Sequence, residues 1–258
     1  MRNILLAMEY NGTAFHGFQT QPRLRTVQAT LESTLSRHTG EQIAVRGASR
    51  TDAGVHACAQ VVNFLTSNPV PTERACAAVN RLLPLDVSAW QALEVAEDFN
   101  ARRCASSKAY TYLIVDGVPR PAILAPFRLH HPHSLDVDSM ADSLTPLTGQ
   151  HDFVAFSAKG DEPVPTVRHL LEARCWREGP VVKVLLRADG FLYRMARLIV
   201  GGLLKVGEGR WKPEKMREIL LSRRREQSPP AAPAHGLYLT EVVYSCPHLK
   251  ATFRKEAP

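Results

Sequence analysis

The feature that most constrains this chain is an order of hydrophobic periods: strand, helix, strand, strand, helix, strand, and then a rough repeat of the same. Arg2 to Tyr10 reads as a strand ended by the turn pair Asn11-Gly12. Thr26 can cap a helix whose apolar positions Val27, Leu31 and Leu35 recur every four residues. Gln42 to Ala48 and Val55 to Leu65 read as strands, and Thr72 caps a second helix that stops before Pro84. Val87 to Val95 completes the β-α-β-β-α-β order of a ferredoxin-like domain.

In the second half, Tyr110 to Val115 is strand-like and is followed by a Pro-punctuated loop. A short helix from about Ser139 comes next. Val167 to Trp176 and Val181 to Ala188 are β-rich and joined by a turn at Arg177-Glu178-Gly179-Pro180. A helix from Phe191 to Val206, another opened by Pro213, and a closing strand from Leu237 to Tyr244 finish the pattern. The expected architecture is α+β: two ferredoxin-like domains with mainly antiparallel sheets, residues 1–102 and 103–258.

Composition removes whole classes of function. With 45% hydrophobic and 22% charged residues the chain is neither disordered nor collagen-like nor a coiled coil. Nowhere does an apolar run approach the roughly 18 residues a membrane span needs. Ile4 to Met8 is cut short by Glu9, too soon for a signal peptide, so a cytoplasmic location is expected. The five cysteines contain no CxxC spacing, which argues for reduced thiols rather than disulfides or zinc. His130, His131 and His133 would need ligands from elsewhere to bind a metal, and none is expected.

The positive charge is concentrated. Between Arg187 and Arg225 stand eleven Lys and Arg against four acids, an excess equal to the net charge of +7 of the whole chain. Most charge runs are solvated helix faces. Confinement of the entire excess to one stretch points instead to a polyanionic partner, nucleic acid rather than membrane.

Four segments can carry chemistry. In Arg46 to Ala57, Asp52 falls between two strands. If the chain is extended there, Arg50 points to the same side and keeps the carboxylate ionised, as a nucleophile or electrostatic stabiliser requires. The bland alternative is a structural Asp in an Asx-turn at Ala53-Gly54, paired with Arg50. On the helix from Phe191, Arg194, Arg197, Gly201 and Lys205 share a face. The pair Gly201-Gly202, costly inside a helix, requires close approach by another backbone or a ligand. Lys108, Tyr110 and Tyr112 alternate along one strand, a cation and two rings suited to phosphate and base contact, or else to plain sheet packing. Last, Gly12 to Gln21, including Gln19, is a Gly/Gln-rich loop that is weak evidence alone.

Taken together, these blocks resemble the tRNA pseudouridine synthase A family from about Met8 to Tyr244. The resemblance rests on Glu9-Tyr10-Asn11-Gly12-Thr13, Gly17 to Gln21, Arg50-Thr51-Asp52-Ala53-Gly54-Val55-His56-Ala57, Lys108 to Tyr112, Gly190 to Arg197, Gly201 to Gly207 and Ala234 to Leu239. It implies conversion of uridines at positions 38–40 of the tRNA anticodon stem-loop to pseudouridine, without cofactor or metal. It also implies a homodimer, with two domains flanking a basic cleft. Carried over by motif, Asp52 is the catalytic carboxylate, Tyr110 the ring that stacks on the target base and Arg197 the cation that pairs with Asp52. Arg50 helps to hold the flipped nucleotide; Lys108, Arg194, Gln19 and Lys205 join it as substrate contacts. Ser49 departs from the family's usual Gly, Asn11 from a common Asp and Ala196 from a common Val. The rival readings are a catalytically silent tRNA-binding protein of the same fold and a glycosidase-like hydrolase. The second is disfavoured because no second acid shares the Asp52 segment.

Overall fold

A computed structural model describes residues 1–69, 71–117, 119–158 and 165–258. In chain order the first elements are β1 (Arg2–Tyr10), α1 (Val27–Thr39), β2 (Arg46–Gly47), β3 (His56–Thr66), α2 (Thr72–Asn80) and β4 (Val87–Val95). Then come β5 (Ala105–Asp116), β6 (Leu129–His131), α3 (Val137–Leu144), β7 (Gly149–Asp152), β8 (Val167–Glu178) and β9 (Val181–Ala188). Last are α4 (Met195–Gly207), α5 (Glu214–Ser222), β10 (Leu237–Cys246) and β11 (Leu249–Arg254). Short 3-10 turns link several of them. The class is mixed α+β with mainly antiparallel strands, as expected.

The residues form two compact units, Met1–Lys108 with Tyr238–Pro258, and Ala109–Leu237. These are not the consecutive 1–102 and 103–258 read from the sequence. Periodicity reveals that 237–244 is a strand but not which strand it joins. Here β10 returns to the first unit and runs parallel to β3, Tyr238 against His56 and Leu239 against Ala57.

In the first unit β1 lies between β3 and β4, antiparallel to both, and β2 pairs antiparallel with β3. Leu5 to Met8 are fully buried, which fits a central strand covered on both faces. One face meets α1 and α2. Thr26 caps α1, its hydroxyl accepting from the Ala29 N–H, and Gly40 ends the helix in the left-handed conformation (φ 74°). On the other face Asn3 donates to the carbonyls of Ala96, Glu97 and Phe99, holding the 96–99 segment over the sheet. Only Arg46–Gly47 of the expected strand Gln42 to Ala48 is a strand. Side chains of α1 satisfy the rest: Glu32 accepts from the Val45 N–H, Gln28 donates to the Val45 carbonyl, and Ser36 accepts from the Ile43 N–H.

The second unit has the strand order β5-β9-β8-β7, with β6 parallel to β5. Its core helix is α4. Every residue of α4 is buried except Arg197 and Lys205, so this is no amphipathic surface helix. It also starts later than the pattern predicts. Arg194 adopts a left-handed conformation (φ 61°) that breaks the helix between Phe191 and Met195, leaving Arg194 outside the face it was expected to share. The β8–β9 end is tied down by Arg177, whose fork binds the buried Asp116 carboxylate at 2.6 and 2.8 Å.

Candidate active site

Asp52 stands in the loop between β2 and β3, and the surroundings of that loop explain its shape. Burial alternates along it: Arg50 exposed, Thr51 buried, Asp52 half-buried. Thr51 is therefore the inward anchor. Its hydroxyl lies 2.7 Å from the Tyr10 hydroxyl at the end of β1. Gln60 donates to that same Tyr10 oxygen at 3.4 Å, so the phenol is held between Thr51 and Gln60. Burial pushes the Tyr10 phenol up to about 12 and keeps it protonated. The fully buried Gln60 amide also grips Ser49 at both backbone groups, accepting from its N–H at 3.2 Å and donating to its carbonyl at 2.8 Å. Position 49 is thus fixed through the main chain.

The loop's other side is covered by residues 12–18. Phe18 donates its N–H to the Thr51 carbonyl at 3.0 Å, and Gly54 donates to the Phe15 carbonyl at 3.3 Å. Glycine is needed twice. A Cβ at Gly12 would overlap the Val55 carbonyl, and one at Gly17 (φ 90°) would meet the Thr51 carbonyl at 2.9 Å. The Gly12 N–H donates to His56 Nδ1 at 3.0 Å, and the buried His56 ring stacks on Tyr238 at 4.8 Å. Gln21 and Gln28 hold the rest of the loop through the His16 carbonyl and the Thr20 N–H. Gln19 itself is exposed.

The bland reading of Asp52 as an Asx-turn residue paired with Arg50 is not what the structure holds. Val55 donates its N–H to the Asp52 main-chain carbonyl at 3.1 Å, closing the turn through the backbone, with Gly54 at φ 77°. Among the described residues no ion pair joins Arg50 to Asp52. Lys108, at the end of the first unit's share of β5, is 8% exposed.

In the second unit Tyr110 is 5% exposed, with its ring edge-on to Phe191 at 4.9 Å. Tyr112 is fully buried and donates its hydroxyl to the Pro233 carbonyl at 2.7 Å, so of the two alternating tyrosines this one is a packing residue. Arg197, in the first turns of α4, is half-buried. Its Nε donates to the Ala232 carbonyl at 2.8 Å while Ala232 donates its N–H to the Arg197 carbonyl at 2.9 Å. That reciprocal clamp fixes the plane of the guanidinium. It also accounts for the two glycines: a Cβ at Gly201 would overlap the Pro230 carbonyl, and one at Gly202 would press on Met216 and Pro229. The close approach the pair requires is made by the backbone of 229–232.

Lys205 is drawn into a different arrangement. Its Nζ lies 3.0 Å from the Glu208 carboxylate, which His131 and Arg210 also approach, at 3.1 and 3.0 Å. Burial pushes Glu208 up, but the hydrogen bonds from Lys205 and His131 and the charges of Lys205 and Arg210 outweigh it and hold it below the usual carboxylate range. Arg194 is exposed and lies over the Tyr193 ring at 5.1 Å. Among the described residues no group of His, Cys, Asp and Glu is placed to hold a metal ion, and no helix is long and apolar enough to cross a membrane.

Sequence reasoning missed Tyr10, Gln60 and Phe191. Gln60 carried a signal: it is an amide in the middle of the otherwise apolar run Ala57 to Val62. A buried amide in a central strand implies a polar partner that the strand itself cannot supply.

A family model described as tRNA pseudouridine synthase matches residues 6–102 and 145–245. The tRNA pseudouridine synthase A of Caldicellulosiruptor saccharolyticus is 43% identical over 244 residues, covering 95% of this chain and 100% of that one. The enzyme of the same name from Acetivibrio thermocellus is 43% identical and that from Caldicellulosiruptor bescii 41%, over the same shares.

Proposed function

The chain belongs to the tRNA pseudouridine synthase family, and from that premise we propose that it isomerises uridines at positions 38–40 of the tRNA anticodon stem-loop. Asp52 supplies the carboxylate, Tyr110 the ring against the target base and Arg197 the cation. The reaction breaks the C1′–N1 bond, turns the uracil and joins C5 to C1′. A proton leaves C5 and another arrives at N1, so nothing is oxidised. An ionised carboxylate serves each available route: attack at C6, capture of C1′, or removal of the C2′ proton. The uridine must leave the stem first, which needs an aromatic face to receive it.

One observation carries the assignment of Asp52. The chain just before it is held on both sides, by Gln60 at Ser49 and Tyr10 at Thr51 and by Phe18 at the Thr51 carbonyl, and its own carbonyl closes the turn, so the half-buried carboxylate stands on a fixed main chain. A carboxylate needed only for structure has no use for so rigid a mount; one that must meet a reacting carbon does. Arg197 is fixed in the same spirit by Ala232.

The test is release of tritium from tRNA transcripts labelled at uridine C5, since bond formation at C5 expels it. Wild type should release it and Asp52→Asn should fall by at least about 1000-fold, with tRNA binding kept within a few-fold. Turnover retained by the variant would remove Asp52 from its role; no release by wild type, with binding intact, would favour the silent tRNA-binding reading.

Binding of tRNA falls to the basic stretch. Within it Arg187, Lys205, Arg210 and Lys215 are committed to acids at 2.8–3.2 Å. Lys212, Arg217, Arg223 and Arg224 are exposed and have no ion pair among the described residues, so these are assigned to tRNA phosphates. Replacing Arg223 and Arg224 by Gln should weaken binding equally for all tRNAs and reduce the slope of log K against log salt by about one for each phosphate no longer neutralised. An unchanged slope would exclude them. The active assembly is proposed to be a homodimer, which light scattering of the free protein checks.

A further inference from the structure

Cys104 and Cys246 form a pair for which the reaction has no use. Cys104 stands immediately before β5, its N–H donated to the Asn100 carbonyl at 3.0 Å. Cys246 is the last residue of β10, opposite Leu249 of β11, with its sulfur 3.6 Å from the Leu249 carbonyl. The two segments are fastened side by side. Ser106 donates its hydroxyl to the Val243 carbonyl at 2.9 Å, and the Tyr244 hydroxyl donates to the Ala101 carbonyl at 2.8 Å. Between these ties Cys246 lies near enough to Cys104 to perturb its thiol. Both are half-buried, so a small oxidant can reach them. Cys58 and Cys175 differ: they are buried, and burial pushes each thiol up to about 12.

We propose that Cys104 and Cys246 are an oxidisable dithiol that closes to a disulfide within the chain, with a hydroperoxide as oxidant. In the first step one thiol, having lost its proton, attacks the peroxide. An S–O bond forms, the O–O bond breaks, and the leaving oxygen departs as water or an alcohol after taking a proton. In the second step the other sulfur attacks the sulfenic acid, the S–S bond forms, the S–O bond breaks, and water leaves. Two thiols have lost two electrons and the peroxide has gained them. Because the two segments are already tied side by side, the second step needs no strand to separate. Burial, together with the neighbouring Cys246 and Asp98, outweighs the Asn100 contact and holds the Cys104 thiol above its ordinary range. The first step is therefore slow at neutral pH, and excess peroxide is the right probe.

The position gives the bond its consequence. Cys104 precedes the departure of the chain from the first unit after Lys108, and Cys246 follows its return at Tyr238. A bond between them closes one loop holding the whole of Ala109–Leu237.

The purified chain is treated with excess hydrogen peroxide, alkylated in denaturant, digested without reductant and mapped by mass. The expected result is one peptide pair joined through Cys104 and Cys246, with Cys58, Cys76 and Cys175 alkylated. A faster band on a non-reducing gel, reversed by dithiothreitol, and a Tm higher by about 5 °C or more should accompany it. Cys104→Ser and Cys246→Ser should each lose the fast band while keeping, in reductant, a Tm within about 2 °C of wild type. Alkylation of all five cysteines after peroxide, bonds between chains or to other cysteines, or Cys104 carried on to a sulfinic acid with Cys246 still alkylated would each overturn the proposal.

Discussion

The loop that presents Asp52 and the helix that presents Arg197 are fitted to their neighbours by the same device and held there by different forces. In each, glycine lets a carbonyl lie where a Cβ would be: Gly12 under Val55 O, Gly201 under Pro230 O. The Asp52 loop is then secured largely from outside itself, by Tyr10, Gln60 and the 15–18 backbone, with the Asp52 carbonyl closing the turn. Arg197 is secured by its own side chain, through Ala232. The difference teaches where each residue can be altered. Changing Asp52 leaves its mount standing, whereas changing Arg197 removes a strut as well as a charge.

The comparison breaks most sharply at the glycines. Gly201→Val should cost about 3 kcal/mol or more, because both the Cβ and the branch collide with backbone that cannot swing away; urea unfolding measures it. Gly12→Ala should cost less stability but lower tritium release by about 100-fold, since what it displaces is the loop under Asp52. Equal stability losses with unimpaired release by Gly12→Ala would show that the loop is not a mount.

Acid sharpens the contrast next. The buried Asp116 carboxylate is held below its ordinary range chiefly by the Arg177 fork, against the cost of burial and with help from the Leu135 N–H. Its folded pKa is depressed, so the stability it contributes is full above the unfolded value of about 3.9 and is lost as pH falls through the lower folded one. Between pH 5 and 2, hydrogen exchange should quicken first at the β8–β9 turn, and Asp116→Asn should flatten that part of the stability profile. A smaller effect is expected of Tyr10→Phe. It deletes the hydroxyl between Thr51 and Gln60, costing about 1–2 kcal/mol, and should lower kcat more than it raises KM.

How legible this was in the sequence depended on the range of the interaction. Caps, turns and strand periods are local, and β1, α1, β4 and β9 stand where their patterns place them. Asp52 and Arg197 were marked by their motifs. What the motifs could not carry is support from far along the chain. Gly12 meeting Val55, and Gln60 gripping Ser49, follow only once β1 and β3 are adjacent. The glycine pair announced a close approach without naming 229–232. The helix break at Arg194 was invisible because its residues keep a helical period through a turn that is not helical. β11 escaped notice because Leu249–Arg254 alternates weakly and pairs only with β10.

The return of β10 to the first unit has a consequence for the order of events during synthesis. Residues 109–237 are contiguous, so everything the second unit needs is synthesised before β10 is made. The first unit, though begun earlier, must wait. Until Tyr238 and Leu239 arrive, the end of β3 at His56 lacks its parallel neighbour and His56 lacks the ring it stacks on, with Asp52 four residues upstream. A nascent chain stalled before β10 therefore carries an open strand end beside its carboxylate loop, exposed to wrong pairing. The part of the protein translated first is the part that matures last.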